Sequence, residues 1–220
     1  FTSYQTTVPF IQGPYVGERL QPHTAAELLT SGSGRRWLML FQDEAVDPGD
    51  VLLATLENAG GRRTEMLYSR ELRLFAYELP KDAEVTPLAP TIDLDAHFEG
   101  GIMLHGAIIH APDQGQLPVT LFWELKQSQP QPLISAVHLV RQAGEQPIAQ
   151  DDEMLLSPFW TLPSLPTSEV LPNRHALTLP QDLPAGTYQL FALLYDPATG
   201  QRRTLSNGAD MVAIGEVTLP

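Results

Sequence analysis

The sequence contains no cysteine, which excludes disulfides, zinc–thiolate sites and a cysteine nucleophile. Positive charge is scarce: 13 Lys and Arg stand against 26 Asp and Glu, a formal net charge of −13. So acidic a chain is a poor partner for nucleic acid or anionic lipid, and neither is expected. Long hydrophobic runs are missing as well. The longest strongly apolar stretches, Trp37–Phe41 and Leu190–Tyr195, fall far short of the roughly 20 residues that cross a bilayer. No Gly-rich turn follows Phe41, which argues against nucleotide binding. There is no Gly-x-Ser-x-Gly elbow and no His-Glu-x-x-His pair.

What remains is a globular composition. The 220 residues are 43% hydrophobic and 18% charged, with a mean hydropathy of −0.11; that is enough chain for one large domain or two small ones, each with a real core. The first residue is Phe1, with no cationic, apolar leader behind it, so the sequence reads as a piece of something longer. Charge and proline divide it. Residues 1–85 carry 8 basic against 12 acidic residues and 5 prolines, and residues 86–220 carry 5 against 14 and 15 prolines. The change falls at Lys81–Pro90, where Pro80, Pro87 and Pro90 bracket an acidic stretch, and it reads as a linker.

Residues 1–85 carry helix signals. Thr24-Ala-Ala-Glu27 has the form of a capping box, predicting a short helix over about Ala25–Thr30. Arg36–Phe41 reads as a buried strand. Asp47 as N-cap, Pro48 in the first helical position and Gly60-Gly61 as terminator define a second helix with Val51, Leu52, Leu53, Leu56 and Ala59 on its apolar face. Glu71–Leu79 reads as a further strand, which makes a small α/β unit. From residue 86 the pattern is strand after strand: Ile92–Phe98, Ile102–His110, Val119–Lys126, Ile134–Arg141, a short return at Pro147–Gln150, Glu169–Leu179, Thr187–Tyr195, Gln201–Leu205 and Met211–Leu219. Turn signals recur at Asp113-Gln-Gly115, Asp196–Gly200 and Asn207-Gly208. The expectation is α+β overall: a small α/β unit over 1–85, then an antiparallel, Ig-like β-sandwich of about eight strands over 86–220.

Several stretches carry a resemblance. Ala136-Val-His-Leu139, Gln150-Asp151, Leu177-Thr-Leu-Pro180, Asp182-Leu-Pro-Ala-Gly-Thr-Tyr188 and Leu194-Tyr-Asp-Pro-Ala-Thr-Gly200 together resemble a β-domain at the C-terminus of certain bacterial polytopic membrane glycosyltransferases. These are of the dolichyl-phosphate-mannose and aminoarabinose transferase type, which use lipid-phosphate sugar donors. Arg36-Trp-Leu-Met-Leu-Phe-Gln-Asp-Glu44 with the following helix resembles the small unit after the last membrane helix of such proteins. The resemblance spans about residues 9–219. It implies a non-catalytic domain on the extracytoplasmic face of a bacterial membrane, assisting acceptor or partner binding and attached to the membrane only through helices upstream. The catalytic carboxylates of that family lie between membrane helices, so none is carried over. The segment 151–168 departs from the family pattern by its extra prolines and by lacking a Trp followed by Gly-Glu.

The residues themselves offer few constellations. Asp151-Asp152-Glu153 reads as a loop; calcium would want such oxygens, but consecutive acids point different ways and a solvated loop is favoured. Asp93 and Asp95 share the polar face of one strand, and a wet sheet face is favoured over a glycosidase-like pair. His138 reads as a core histidine and Trp123 as a core ring. Trp123, Phe159, Trp160 and Tyr195 are the aromatics that can stack on a pyranose. The candidate binding segment is Gln150–Thr167, where Asp151, Asp152, Phe159 and Trp160 sit on a backbone stiffened by Pro158, Pro163 and Pro166. The competing reading has Phe159 and Trp160 pinning that loop to the sandwich. No catalytic residue, metal or cofactor is expected. The partners expected are a glycan or glycolipid acceptor, or a protein. Three function classes follow: the glycosyltransferase-associated domain, a stand-alone carbohydrate- or protein-binding module of the cell surface, and a small hydrolase, which the missing motifs disfavour.

Overall fold

The computed structural model describes residues 20–29, 34–41, 46–69, 72–127, 132–155 and 169–220. In chain order the elements are α1 (Pro22–Leu29), β1 (Arg35–Phe41), α2 (Val51–Asn58), β2 (Arg62–Ser69), β3 (Leu72–Glu78), β4 (Ile92–Phe98), β5 (Ile102–Ile109), β6 (Gln116–Leu125), β7 (Ile134–Val140), β8 (Ala149–Met154), β9 (Val170–Thr178), β10 (Gly186–Tyr195) and β11 (Val212–Leu219). They form three sheets, with strand orders β1-β3-β2, β4-β5-β6-β9 and β11-β10-β7-β8. Every ladder between these strands is antiparallel.

The two four-stranded sheets share one core, as their alternating patterns require. Leu104, Leu117, Leu121, Trp123 and Leu177 from one sheet meet Val137, Leu139, Leu190, Leu194 and Ile214 from the other. Trp123 is fully buried, as its alternation predicts, and its ring lies 5.6 Å from that of Phe98 at 60°. His138, expected in the core, is buried but alternates with Val137 and Leu139 and so lies on the opposite face of β7 from the shared core. Asp93 and Asp95 face water on the edge strand β4.

The N-terminal elements lie against the outer face of the β4-β5-β6-β9 sheet. Helix α2 (VLLATLEN) is apolar on two faces, and each face has a use. Val51 and Ala54, with Leu20, Ala25 and Leu88, cover Ile108 and Phe122 of β5 and β6. Leu53 and Leu56, with Leu29, pack on Leu38, Leu40, Phe75 and Tyr77 of the three-stranded sheet. The layers therefore run small sheet, helices, sheet, sheet. Residues on both sides of the Lys81–Pro90 join contribute to a common hydrophobic cluster.

Four local expectations are corrected. Helix α1 begins at Pro22, and Thr24 lies inside it with its hydroxyl 3.2 Å from His23 Nε2, so Thr24 is not a cap. Asp47 does serve the second helix, its carboxylate accepting the Val51 and Leu52 amides at 2.7 and 3.1 Å. That helix nonetheless starts only at Val51, because Asp50 adopts a left-handed conformation (φ 52°) that keeps Pro48 out of it. Strand β2 was not anticipated, and with it the strand–helix–strand unit becomes an antiparallel β1-β3-β2 sheet with helices on one face. Gln201–Leu205 is no strand; it makes single bridges, Arg202 to Tyr195 and Leu205 to Phe98.

Candidate functional site

The segment Gln150–Thr167 divides at Leu155. Asp151, Asp152 and Glu153, expected in a loop, belong to strand β8 at the edge of its sheet. The correction has a simple cause: β8 (AQDDEM) needs little apolar content because it pairs on one side only. Phe159 and Trp160 lie outside the described residues. Asp152 points to solvent and accepts from Gln150 Nε2 at 2.9 Å. Asp151 faces strand β9 instead. Its Oδ2 accepts the Ala176 amide at 3.1 Å and lies 3.3 Å from His175 Nδ1. Burial works against its charge, but the nearby His175 imidazole, the Ala176 amide and Arg174 outweigh it and hold the Asp151 carboxyl below the usual range.

From Asp151 a polar chain runs into the core. His175 Nε2 is 3.0 Å from Ser135 Oγ and 3.1 Å from Asn173 Oδ1, and Trp123 Nε1 donates to Ser135 Oγ at 3.2 Å. Carboxylate, imidazole and hydroxyl are thus in the order of a nucleophilic triad. Access is what separates this array from one: His175 and Ser135 are fully buried, and the serine oxygen is covered by the indole N–H. A hydroxyl that no substrate atom can reach cannot attack. Physically the array ties β6, β7, β8 and β9 together across the two sheets. Sequence reading missed it because the three groups come from three strands far apart in the chain, and no local motif joins them.

A second polar cluster sits at the seam between the helices and the sandwich-like pair. On β9, Leu171, Asn173, His175 and Leu177 point inward, so Arg174 points outward under α2. Its guanidinium holds Glu57 through two bonds, Nε to Oε2 at 2.7 Å and Nη2 to Oε1 at 2.6 Å. Tyr77 donates to the same carboxylate at 3.2 Å, and Arg73 pairs with Asp50 at 2.5 Å. Side-chain exposure is 7% for Arg174 and 9% for Glu57. Burial opposes the Arg174 charge, while Glu57, Asp50 and Tyr77 more than compensate and keep it protonated. Burial, with Glu57 beside it, also raises the Tyr77 hydroxyl above its ordinary range. Nearby His110, buried against Thr120 Oγ1 at 2.9 Å, is pushed down to about 4 by burial. The seam is closed further by Arg174 N donating to Gly49 O at 3.0 Å and by Arg63 binding Asp113 and Gln116 at 2.9 Å each.

The outer face of the small sheet exposes Trp37 (49%), Met39 (68%) and Leu67 (61%), with Leu74 paired between Met39 and Leu67; β1 is therefore buried on one face only, at Leu38 and Leu40, and not the buried strand expected. At one end of the sandwich-like pair, Glu99, Asp196, Gln201, Arg202 and Arg203 line an open cavity of about 100 Å³. Among the described residues no group of three His, Asp or Glu side chains is placed to hold a metal ion, and no helix is long and apolar enough to cross a membrane. No protein-family profile matches the chain, and no curated protein matches it.

Proposed function

We propose that the chain is a non-catalytic binding module: the extracytoplasmic portion of a bacterial membrane glycosyltransferase, assisting acceptor or partner binding. One observation carries the non-catalytic part. The Asp151–His175–Ser135 array, in the order chemistry would need, is sealed inside the core. The glycosyltransferase parent rests on the sequence resemblance set out above. The Ig-like character of the sandwich is supported by its strand order and by Tyr188, near the start of β10, whose hydroxyl donates to Pro184 O at 2.5 Å in the manner of a tyrosine corner. A second reading, a stand-alone module of the cell surface that binds a protein, is favoured by the exposed Trp37, Met39 and Leu67 face.

Two experiments test this. The purified chain, offered lipid-phosphate sugars and simple glycosides, is expected to turn over neither; turnover lost in Asp151→Asn would contradict the proposal. The coding sequence upstream of Phe1 is expected to specify membrane helices. A parent gene without them would leave the stand-alone reading.

A further inference from the structure

Residues 86–220 contain only five cations: Lys126, Arg141, Arg174, Arg202 and Arg203. Arg174 is committed to Glu57. Arg202 and Arg203 are the one adjacent pair, and both line the cavity at the end of the sandwich-like pair. Its walls are well anchored. Glu99 lies in the β4–β5 turn and donates its amide to Thr204 O at 2.8 Å; Asp196 and Arg203 donate theirs to Gln201 O at 3.0 Å and Leu194 O at 2.8 Å. These are loops at a sheet end, where variable chemistry is normally carried.

Occupancy of the side chains differs around the cavity. Arg202 Nη1 is taken by Asp210 at 2.9 Å, and Asp196 Oδ1 accepts the Ala198 and Thr199 amides. Arg203 Nε is buried with no hydrogen-bond partner. Neither the Arg203 guanidinium nor the Glu99 and Gln201 side chains make a hydrogen bond or ion pair among the described residues. That atom is closed to solvent, so a ligand in the open cavity meets the guanidinium through its other donors. A cation and a carboxylate thus line one small space without pairing with each other.

We propose that this cavity binds the carboxylate of an acidic sugar, a hexuronate unit of a glycan. The Arg203 guanidinium takes the carboxylate through its donors, and Glu99 and Gln201 accept from ring hydroxyls. A space of about 100 Å³ suits the carboxylate and adjoining ring edge while the rest of the sugar stays at the open mouth. This site rests on the reading of the chain as a binding module and gives that reading a ligand class.

The test is an amide NMR titration of the chain with D-glucuronate, D-glucose, acetate and inorganic phosphate, repeated on Arg203→Ala and Glu99→Ala. Glucuronate is expected to shift the amides of Glu99, Gln201, Arg202 and Arg203. Glucose is expected to leave them in place, and acetate and phosphate to bind roughly tenfold more weakly or worse. Arg203→Ala should weaken glucuronate by at least about tenfold with only a small fall in melting temperature, because the side chain it removes makes no hydrogen bond or ion pair among the described residues. No shift at these amides would overturn the proposal. So would a response to acetate or phosphate equal to that for glucuronate, or binding retained in Arg203→Ala. Any of these leaves intact the absence of turnover and docking of a partner elsewhere, so the site and the module reading fail separately.

Discussion

Replacing Arg174 by methionine keeps most of the side-chain volume under α2 and removes the one cation that satisfies Glu57. The carboxylate would then be left at 9% exposure with Tyr77 as its remaining donor among the described residues. Breaking one half of a buried, doubly hydrogen-bonded pair leaves an uncompensated charge and costs about 3–5 kcal/mol. In a chain of this size each kcal/mol lowers the melting temperature by roughly 2–4 °C, so the fall should be about 6–20 °C. Glu57→Gln should cost less, because the amide oxygen still accepts and Asp50 remains 3.9 Å from the guanidinium. The double variant Arg174→Met with Glu57→Met should recover most of the loss, since a matched apolar pair avoids both desolvation penalties. Urea denaturation of the four proteins gives the coupling energy directly. A loss under about 1 kcal/mol for Arg174→Met, in the range of exposed ion pairs, would refute the reasoning. The helices would then not be seated on β9 as described.

Three further outcomes follow from the same geometry. His110 is held at about 4 in the folded chain by burial and titrates near 6.5 when unfolded, so the unfolded chain binds more protons between those values. Its contribution is fully present above about pH 6.5 and is lost as pH falls toward 4, a change of about 3 kcal/mol; stability curves of His110→Asn should be flatter there, and an unchanged slope would count against the burial. Ser135→Ala strands the Trp123 N–H and should cost about 1–3 kcal/mol by thermal melting; a neutral result would mean the array is not closed. A Cβ at Gly49 would come within 2.0 Å of Pro172 O, so Gly49→Ala should separate the α2 entry turn from β9 and expose β9 amides to hydrogen exchange, and unchanged protection at Arg174 would contradict that contact.

How much of this was legible in sequence differs by element, for physical reasons. Strands such as β4, β6 and β10 announce themselves because one face is buried and the other is not, or because both are, in a short apolar run. Strand β2 (RRTEMLYS) hid behind its charges: it is an edge strand, exposed from Thr64 to Leu67. Strand β8 hid for the same reason, and its acids looked like a loop. Its partner β9 was readable as a strand, yet its Asn173, Arg174 and His175 gave no sign of their partners. Those lie on α2, β7 and β8, and only the packing of layers brings them together. The cavity is the least legible feature, since Glu99 and Arg203 meet only where the β4–β5 turn and the β10–β11 connection share one end of the sheets.

The claim that this chain binds rather than reacts is tested most directly at Ser135 Oγ. Incubation of the native protein with a fluorophosphonate, followed by peptide mass spectrometry, should leave Ser135 unmodified, because the hydroxyl is fully buried and covered by the Trp123 N–H. A stoichiometric adduct on Ser135 that disappears in Asp151→Asn would show an accessible, activated serine and contradict the account.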